Sequence, residues 1–236
     1  MELFTADGVQ FLLRWIHLMA GVVWIGMLYY FNFAQVPYFA ETKTGAGTGE
    51  FRKLIARVLW WFRWGAMFTF LSGLLIILLK LGQAGMGIMG SSWGIGISVG
   101  ALLGTIMFLN VWLVIWPKQK IVLASLETVA GGGQADPAAA AAGARAFLAS
   151  RTNAMFSLPM LFFMGAASHL PLFGEDHGSL LVPVGIVCAI IAAIEANALL
   201  GTKAKGASQI LEKHVGVIHA GLALALVFYL LIAGLA

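Results

Sequence analysis

The sequence predicts an all-α integral membrane protein: a bundle of about six transmembrane helices with both termini on the periplasmic side. Three observations lead there. Of 236 residues, 61% are hydrophobic and 10% charged, whereas a soluble domain has roughly a quarter of its residues charged. Six apolar stretches reach the roughly 20 residues that cross a bilayer, near 9–37, 58–80, 93–116, 152–172, 179–201 and 214–235. Finally, the segments between them alternate in charge.

Lys43, Arg52, Lys53 and Arg57 lie between spans one and two. Lys118, Lys120, Arg145 and Arg151 lie in the loop 117–151, and Lys203, Lys205 and Lys213 between spans five and six. The other two connections hold Lys80 at one edge, and Glu175 and Asp176. By the positive-inside rule the three basic loops are cytoplasmic, so both termini of a single 1–236 transmembrane domain face outward. The net charge of +4 therefore reads as topology, and no nucleic-acid partner is expected. Glu2 and Asp7 stand where a signal peptide would be basic. The one cysteine, Cys188, rules out an internal disulfide and a cysteine-based metal cluster.

Taken in order, the first span is overlong, and Pro37 is expected to end it. It carries Arg14 and His17 on one helical face, with Gly21 one turn further. Trp60, Trp61 and Trp64 open the second span as interfacial anchors. The turn at 82–90 matches Gly-x-Gly-x-x-Gly through Gly85, Gly87 and Gly90. No strand precedes it and no acidic residue follows, so it reads as a flexible outer turn. In span three, Gly96, Gly100 and Gly104 recur every four residues, the spacing that lets helices approach closely in lipid; the alternative is room for a flat cofactor. Asn110, deep in that span, needs a hydrogen-bond partner. Asp136-Pro137 has the form of a helix start leading towards span four.

Intramembrane ionisable residues read by default as functional. With a rise of about 1.5 Å per residue, His17 lies roughly 8 Å outward of mid-membrane, and His169 in span four at a similar depth. A histidine pair on two helices of a bundle fits the axial ligands of one b-type haem. Arg14, one turn further out, would neutralise a propionate, and Gly21 would leave room for the macrocycle. The plainer readings are a pair of helix ties, or another metal on the same histidines. His219 and Glu195 fall in the inner half with Arg63. They form a second haem site with His219 as ligand, a proton path, or a structural Glu–Arg or Glu–His pair; the pair is the simplest.

Several blocks resemble the membrane domain of bacterial cytochrome-c-linked urate oxidases. They are Leu13-Arg14-Trp15-Ile16-His17, Gly21-Val22-Val23-Trp24-Ile25-Gly26, Tyr30-Phe31-Asn32-Phe33 and Trp60-Trp61-Phe62-Arg63-Trp64-Gly65-Ala66. To these add Asn110-Val111-Trp112, Ser150-Arg151-Thr152-Asn153, Ser157-Leu158-Pro159 and Ser168-His169-Leu170-Pro171. Spans five and six resemble it more loosely, and the first span is distantly similar to the bacterial protoporphyrinogen oxidase. The resemblance implies an all-helical domain of a urate-oxidising system, with His17 and His169 inside matching blocks. In that family a cytochrome c domain follows the membrane part. This sequence ends at Ala236, so a separate cytochrome c or a larger membrane complex is expected as partner.

The sequence thus predicts a membrane-embedded haem b protein passing electrons to a cytochrome c-like acceptor, with the lipid bilayer around it and homo-oligomers allowed. The alternative is a non-catalytic accessory subunit of a larger respiratory or oxygenase complex. A transporter built on Glu195 and Arg63 ranks third, because no inverted repeat or pair of broken helices supports it.

Overall fold

The computed structural model describes residues 2–42, 49–174, 177–201 and 206–235. Lys43, Glu175, Asp176, Lys203 and Lys205, used above to set topology, lie outside the described residues. Among those described there is no strand, and six long helices make up the bundle. These are α1 (Ala6–Thr42), α2 (Gly49–Ala84), α3 (Ser92–Ala130), α4 (Ala139–His169), α5 (Leu181–Leu200) and α6 (His214–Leu235). Five are long and apolar enough to cross a membrane: α1, α2, α3, α5 and α6. The chain is therefore an all-α, multi-pass membrane protein.

The remaining helix, α4, corresponds to the expected fourth span and is the centre of the bundle. Arg151, Thr152, Asn153 and Ser157 on it are all buried, so its polar residues turn inward while its neighbours carry the apolar exterior. On one side α3 packs along it: a Cβ at Gly96 would lie 3.3 Å from Ala167 Cα, at Gly100 3.1 Å from Met164 Cγ, and at Gly104 3.4 Å from Met160 Sδ. The four-residue glycine stripe is thus a packing seam, as expected of small residues in lipid. On another side α6 comes in at Gly221, whose Cβ would sit 2.7 Å from Met155 O. Pro159, inside α4, lacks the N–H that this carbonyl would otherwise accept. At the basic end Arg145 donates to Ala198 O (3.4 Å) and Leu200 O (3.5 Å), capping the open carbonyls of α5.

Pro37 does not end the first helix. Tyr30–Gln35 is a π-helical turn, and α-helix resumes over Val36–Thr42. α3 repeats the device: Asn110–Ile115 is π-helical and Pro117 sits just inside the following α-helix. In both, the proline falls two residues after the π-turn. The wider turn moves each bond from i−4 to i−5, as in Val36 N–H to Phe31 O and Trp116 N–H to Val111 O. This removes the clash between the proline ring and the carbonyl four residues earlier. Both helices therefore overrun their expected ends, and the long loop expected over 117–151 shrinks to residues 131–138, where Asp136 accepts from Ala138 N–H (2.8 Å). Arg145 and Arg151, read above as loop charges, are helical, and Arg151 is 1% exposed.

The π-turn creates a need that α4 meets. In π register the N–H of residue 37 would serve Asn32 O, and proline has none. Arg151 Nη1 donates to Asn32 O instead, at 3.0 Å. Replacing Arg151 by Leu should destabilise the protein by about 2–3 kcal/mol, the scale of a charged hydrogen bond lost with its buried acceptor left open. In a Pro37→Ala background, which restores the missing N–H, the same replacement should cost less. Thermal unfolding of the four proteins in one detergent, read as a double-mutant cycle, measures that coupling; additive losses would refute it.

Candidate functional site

The outer half holds the histidine predicted to matter. His17 lies on the face of α1 that packs against α2. Its Nδ1 is 2.9 Å from Thr69 O and 3.3 Å from Ser72 Oγ. A carbonyl only accepts, so Nδ1 carries the proton and donates, and the lone pair resides on Nε2. This is how ligating histidines are oriented, with the far ring nitrogen tied to a carbonyl or carboxylate. Gly73 makes the arrangement fit: a Cβ there would come within 2.9 Å of His17 Cε1. Gly21, on the same face, is in looser contact, its Cβ position 3.9 Å from Thr69 Cγ2. Two turns inward from His17, Trp24 is 1% exposed and its indole N–H has no acceptor among the described residues.

His169 closes α4 and is exposed, as is Arg14 on α1. Neither ring nor guanidinium has a hydrogen bond among the described residues. Two contacts between these helices give different registers. Tyr29 OH and Ser157 Oγ are 2.9 Å apart, and both histidines stand twelve residues outward of that bond, 17 against 29 and 169 against 157. At 1.5 Å per residue each is about 18 Å outward of it. From Asn32 and Ser150, whose shorter side chains meet at 2.8 Å, His17 stands fifteen residues outward and His169 nineteen, which puts His169 about 6 Å further out, at the end of α4. Twelve residues also rotate a side chain by about 120° beyond three full turns, which is why the His17 ring turns from α4 to α2.

The inner half gathers a buried polar seam along α4. Asn32 Nδ2 donates to Leu28 O (2.9 Å) and Ser150 Oγ (2.8 Å), beside the Arg151 bond. On the opposite face Asn153 Nδ2 donates to Met107 O (2.9 Å), next to the π-turn of α3. Asn110 Nδ2 donates to Asn153 Oδ1 (2.9 Å) and to Glu195 Oε2 (3.1 Å) on α5. Asn110 thus finds the partner it needed. The Glu–Arg or Glu–His pair expected of Glu195 is not formed, because Arg63 stacks instead over Trp116 at 3.8 Å and His219 is exposed on α6. The only ion pair among the described residues is Arg52 with Glu127. No group of three or more His, Cys, Asp or Glu side chains placed to hold a metal occurs among them either.

Sequence reading missed Arg151 and Asn32 as functional neighbours. The signal was present, since Asn32 and Pro37 stand five residues apart, the period of a π-turn. Three of the blocks quoted for the resemblance, around Asn32, Asn110 and Ser150–Asn153, meet in this seam.

The fold and seam define a helical membrane protein most of whose buried polar side chains surround one central helix. A family model described as urate oxidase N-terminal matches residues 88–228, more than half of the chain, and the chain belongs to that family. The match takes in Asn110, Arg151, Asn153, His169, Glu195 and His219, and begins after α1 and α2. No curated protein and no solved structure matches the chain.

Gly73→Ala tests the histidine's seat. The added methyl must displace the His17 ring or part α1 from α2, so a loss of about 1–3 kcal/mol is expected, as for other overpacked cores. Gly26→Ala, where a Cβ meets nothing within 4 Å, should cost much less in the same unfolding assay. Equal losses would show that Gly73 is not a tight contact.

Proposed function

We propose that this chain is the membrane part of a urate-oxidising system of the bacterial inner membrane. It holds haem b in its outer half and delivers electrons to a cytochrome c-like acceptor or a larger complex on the periplasmic side. The observation that carries the haem reading is His17, with Nδ1–H given to Thr69 O and the Nε2 lone pair left for a metal. Family membership supports the urate reading.

The residues present fit such a group on the side of His17. Its donor nitrogen is a neutral imidazole, the commonest haem ligand type, and Trp24 offers a buried N–H that lacks an acceptor. The haem would supply one-electron redox chemistry. His17 would be one axial ligand, held in tautomer and angle by Thr69 and seated against Gly73. His169, at the outer end of α4, is the second candidate, its ring without a hydrogen bond among the described residues. Arg14, exposed one turn outward, would offer a guanidinium to a propionate. In the inner half Asn110 donates to both the Glu195 carboxyl and the Asn153 amide oxygen, which gives the bundle a fixed polar connection between α3, α4 and α5.

A second reading rests on the same hydrogen bond. His17 donating to Thr69 O also ties α1 to α2, the role it would have in a non-catalytic accessory subunit.

An absorption spectrum separates them. The purified protein should show a Soret band that His17→Ala abolishes, His169→Ala weakens or shifts, and His219→Ala leaves unchanged. An unaltered band in the first two variants would discard the histidine assignment. Protein that lacks any chromophore yet co-purifies at fixed stoichiometry with other subunits would favour the tie. Anaerobic urate, with cytochrome c added, should reduce the haem; failure to do so would remove urate as the donor.

A further inference from the structure

The basic ends of α2 and α3 enclose a cavity of about 150 Å³ lined by Arg52, Lys53, Ala56, Leu123 and Glu127. Its wall is built rather than incidental. Arg52 Nε pairs with Glu127 Oε2 at 3.0 Å and Nη1 donates to Leu126 O at 3.4 Å, which fixes the guanidinium across the two helices. Lys53 is exposed and has no ion pair among the described residues. Helical spacing extends the basic lining: Arg57 is one turn from Lys53 on α2, and Lys120 is one turn from Leu123 on α3, both exposed. Arg52 and Lys53 thus line the cavity with one carboxylate, Glu127, which Arg52 already occupies, and Arg57 and Lys120, whose Nζ stands 5.8 Å from the Trp116 ring, lie one turn away on the same helices.

The depth of the cavity identifies its ligand. Trp60 and Trp61 on α2 are 45% and 56% exposed, as interfacial indoles are. Arg52 and Ala56 lie one to two turns beyond them, about 6–12 Å. Headgroups occupy this level, adding roughly 5–8 Å to each side of the hydrocarbon. The same helical faces continue into the membrane as apolar surface, Trp61 and Phe68 on α2 and Leu113 and Leu109 on α3, all exposed.

We propose that this cavity binds the phosphodiester headgroup of an anionic phospholipid, with an acyl chain lying along that apolar lane. Lys53, Arg57 and Lys120 take the phosphate charge, as basic pockets between membrane helices do, while Arg52 is held in place by Glu127. The site is separate from the haem reading and stands or falls without it.

The test is thermal unfolding of the full chain in a neutral detergent, titrated with phosphatidylglycerol, phosphatidylcholine or free glycerol phosphate. Phosphatidylglycerol should raise the midpoint saturably, and the other two should leave it nearly unchanged. The triple variant Lys53→Gln, Arg57→Gln, Lys120→Gln should need at least about tenfold more phosphatidylglycerol, since each surface cation contributes to anionic-lipid binding. Lys80→Gln with Lys213→Gln, remote from the cavity, should behave as the parent. An equal loss in that control would reduce the effect to general surface charge and overturn the site. An equal response to phosphatidylcholine, or to glycerol phosphate, would overturn the anionic-lipid assignment. Counting retained lipid by native mass spectrometry for Lys53→Gln alone gives a readout independent of unfolding, and undiminished retention would likewise count against the site.

Discussion

The bond from Arg151 to the carbonyl of Asn32 is the constraint on which the rest of this structure depends. An arginine 1% exposed, with no ion pair among the described residues, is costly to bury. It is retained against a carbonyl that Pro37 has deprived of its helical donor. The arginine needs an acceptor and the carbonyl needs a donor, and each meets the other's need at 3.0 Å. In a bilayer, where water cannot substitute, such a match orders helices strongly. It fixes the rotation and height of α1 against α4.

A parallel arrangement on the opposite face of α4 does the same for α3. There a π-turn again precedes a proline, and Asn153 rather than an arginine reaches the adjacent backbone, at Met107 O. Asn110 then extends the connection to Glu195 on α5. Two interrupted helices are thus stitched to one central helix from two sides. π-turns of this kind are frequent at functional sites, and here they turn backbone acceptors towards the polar side chains of α4. The outer half is assembled differently, by close approach at Gly73, Gly96 and Gly100 rather than by polar bonds. Its two polar contacts between α1 and α2 among the described residues, His17 Nδ1 with Thr69 O and with Ser72 Oγ, therefore face few competing partners. That isolation leaves Nε2 unclaimed.

The two halves also separate the ionisable groups by role. Most donors and acceptors of the inner seam pair with one another, Glu195 with an amide among them, while Arg151 Nε has no hydrogen-bond partner among the described residues. The outer layer, His17, His169 and Arg14, leaves an imidazole nitrogen, a second ring and a guanidinium uncommitted. The basic rim beyond the inner tryptophans is a third region, with Lys53, Arg57 and Lys120 turned outwards.

By itself the sequence determined the class, the number of long helices and the order in which they run. Apolar length and low charge decide these locally, without reference to neighbours. Helical arithmetic also put His17 and His169 at one depth, a reading that the Tyr29–Ser157 bond fits and the Asn32–Ser150 bond shifts by about 6 Å. The glycine stripe and the need of Asn110 for a partner were legible for the same reason. Only the tertiary structure decided which way each polar side chain turned. Pro37 was a helix end on local rules, until a donor from α4 made a π-turn affordable. Arg151 was a loop cation, until two helices closed around it. Glu195 was assigned to a cation, and an amide on α3 took it. In each case the outcome depended on a group more than thirty residues away in sequence, and no local pattern encodes which distant donor will satisfy a buried acceptor.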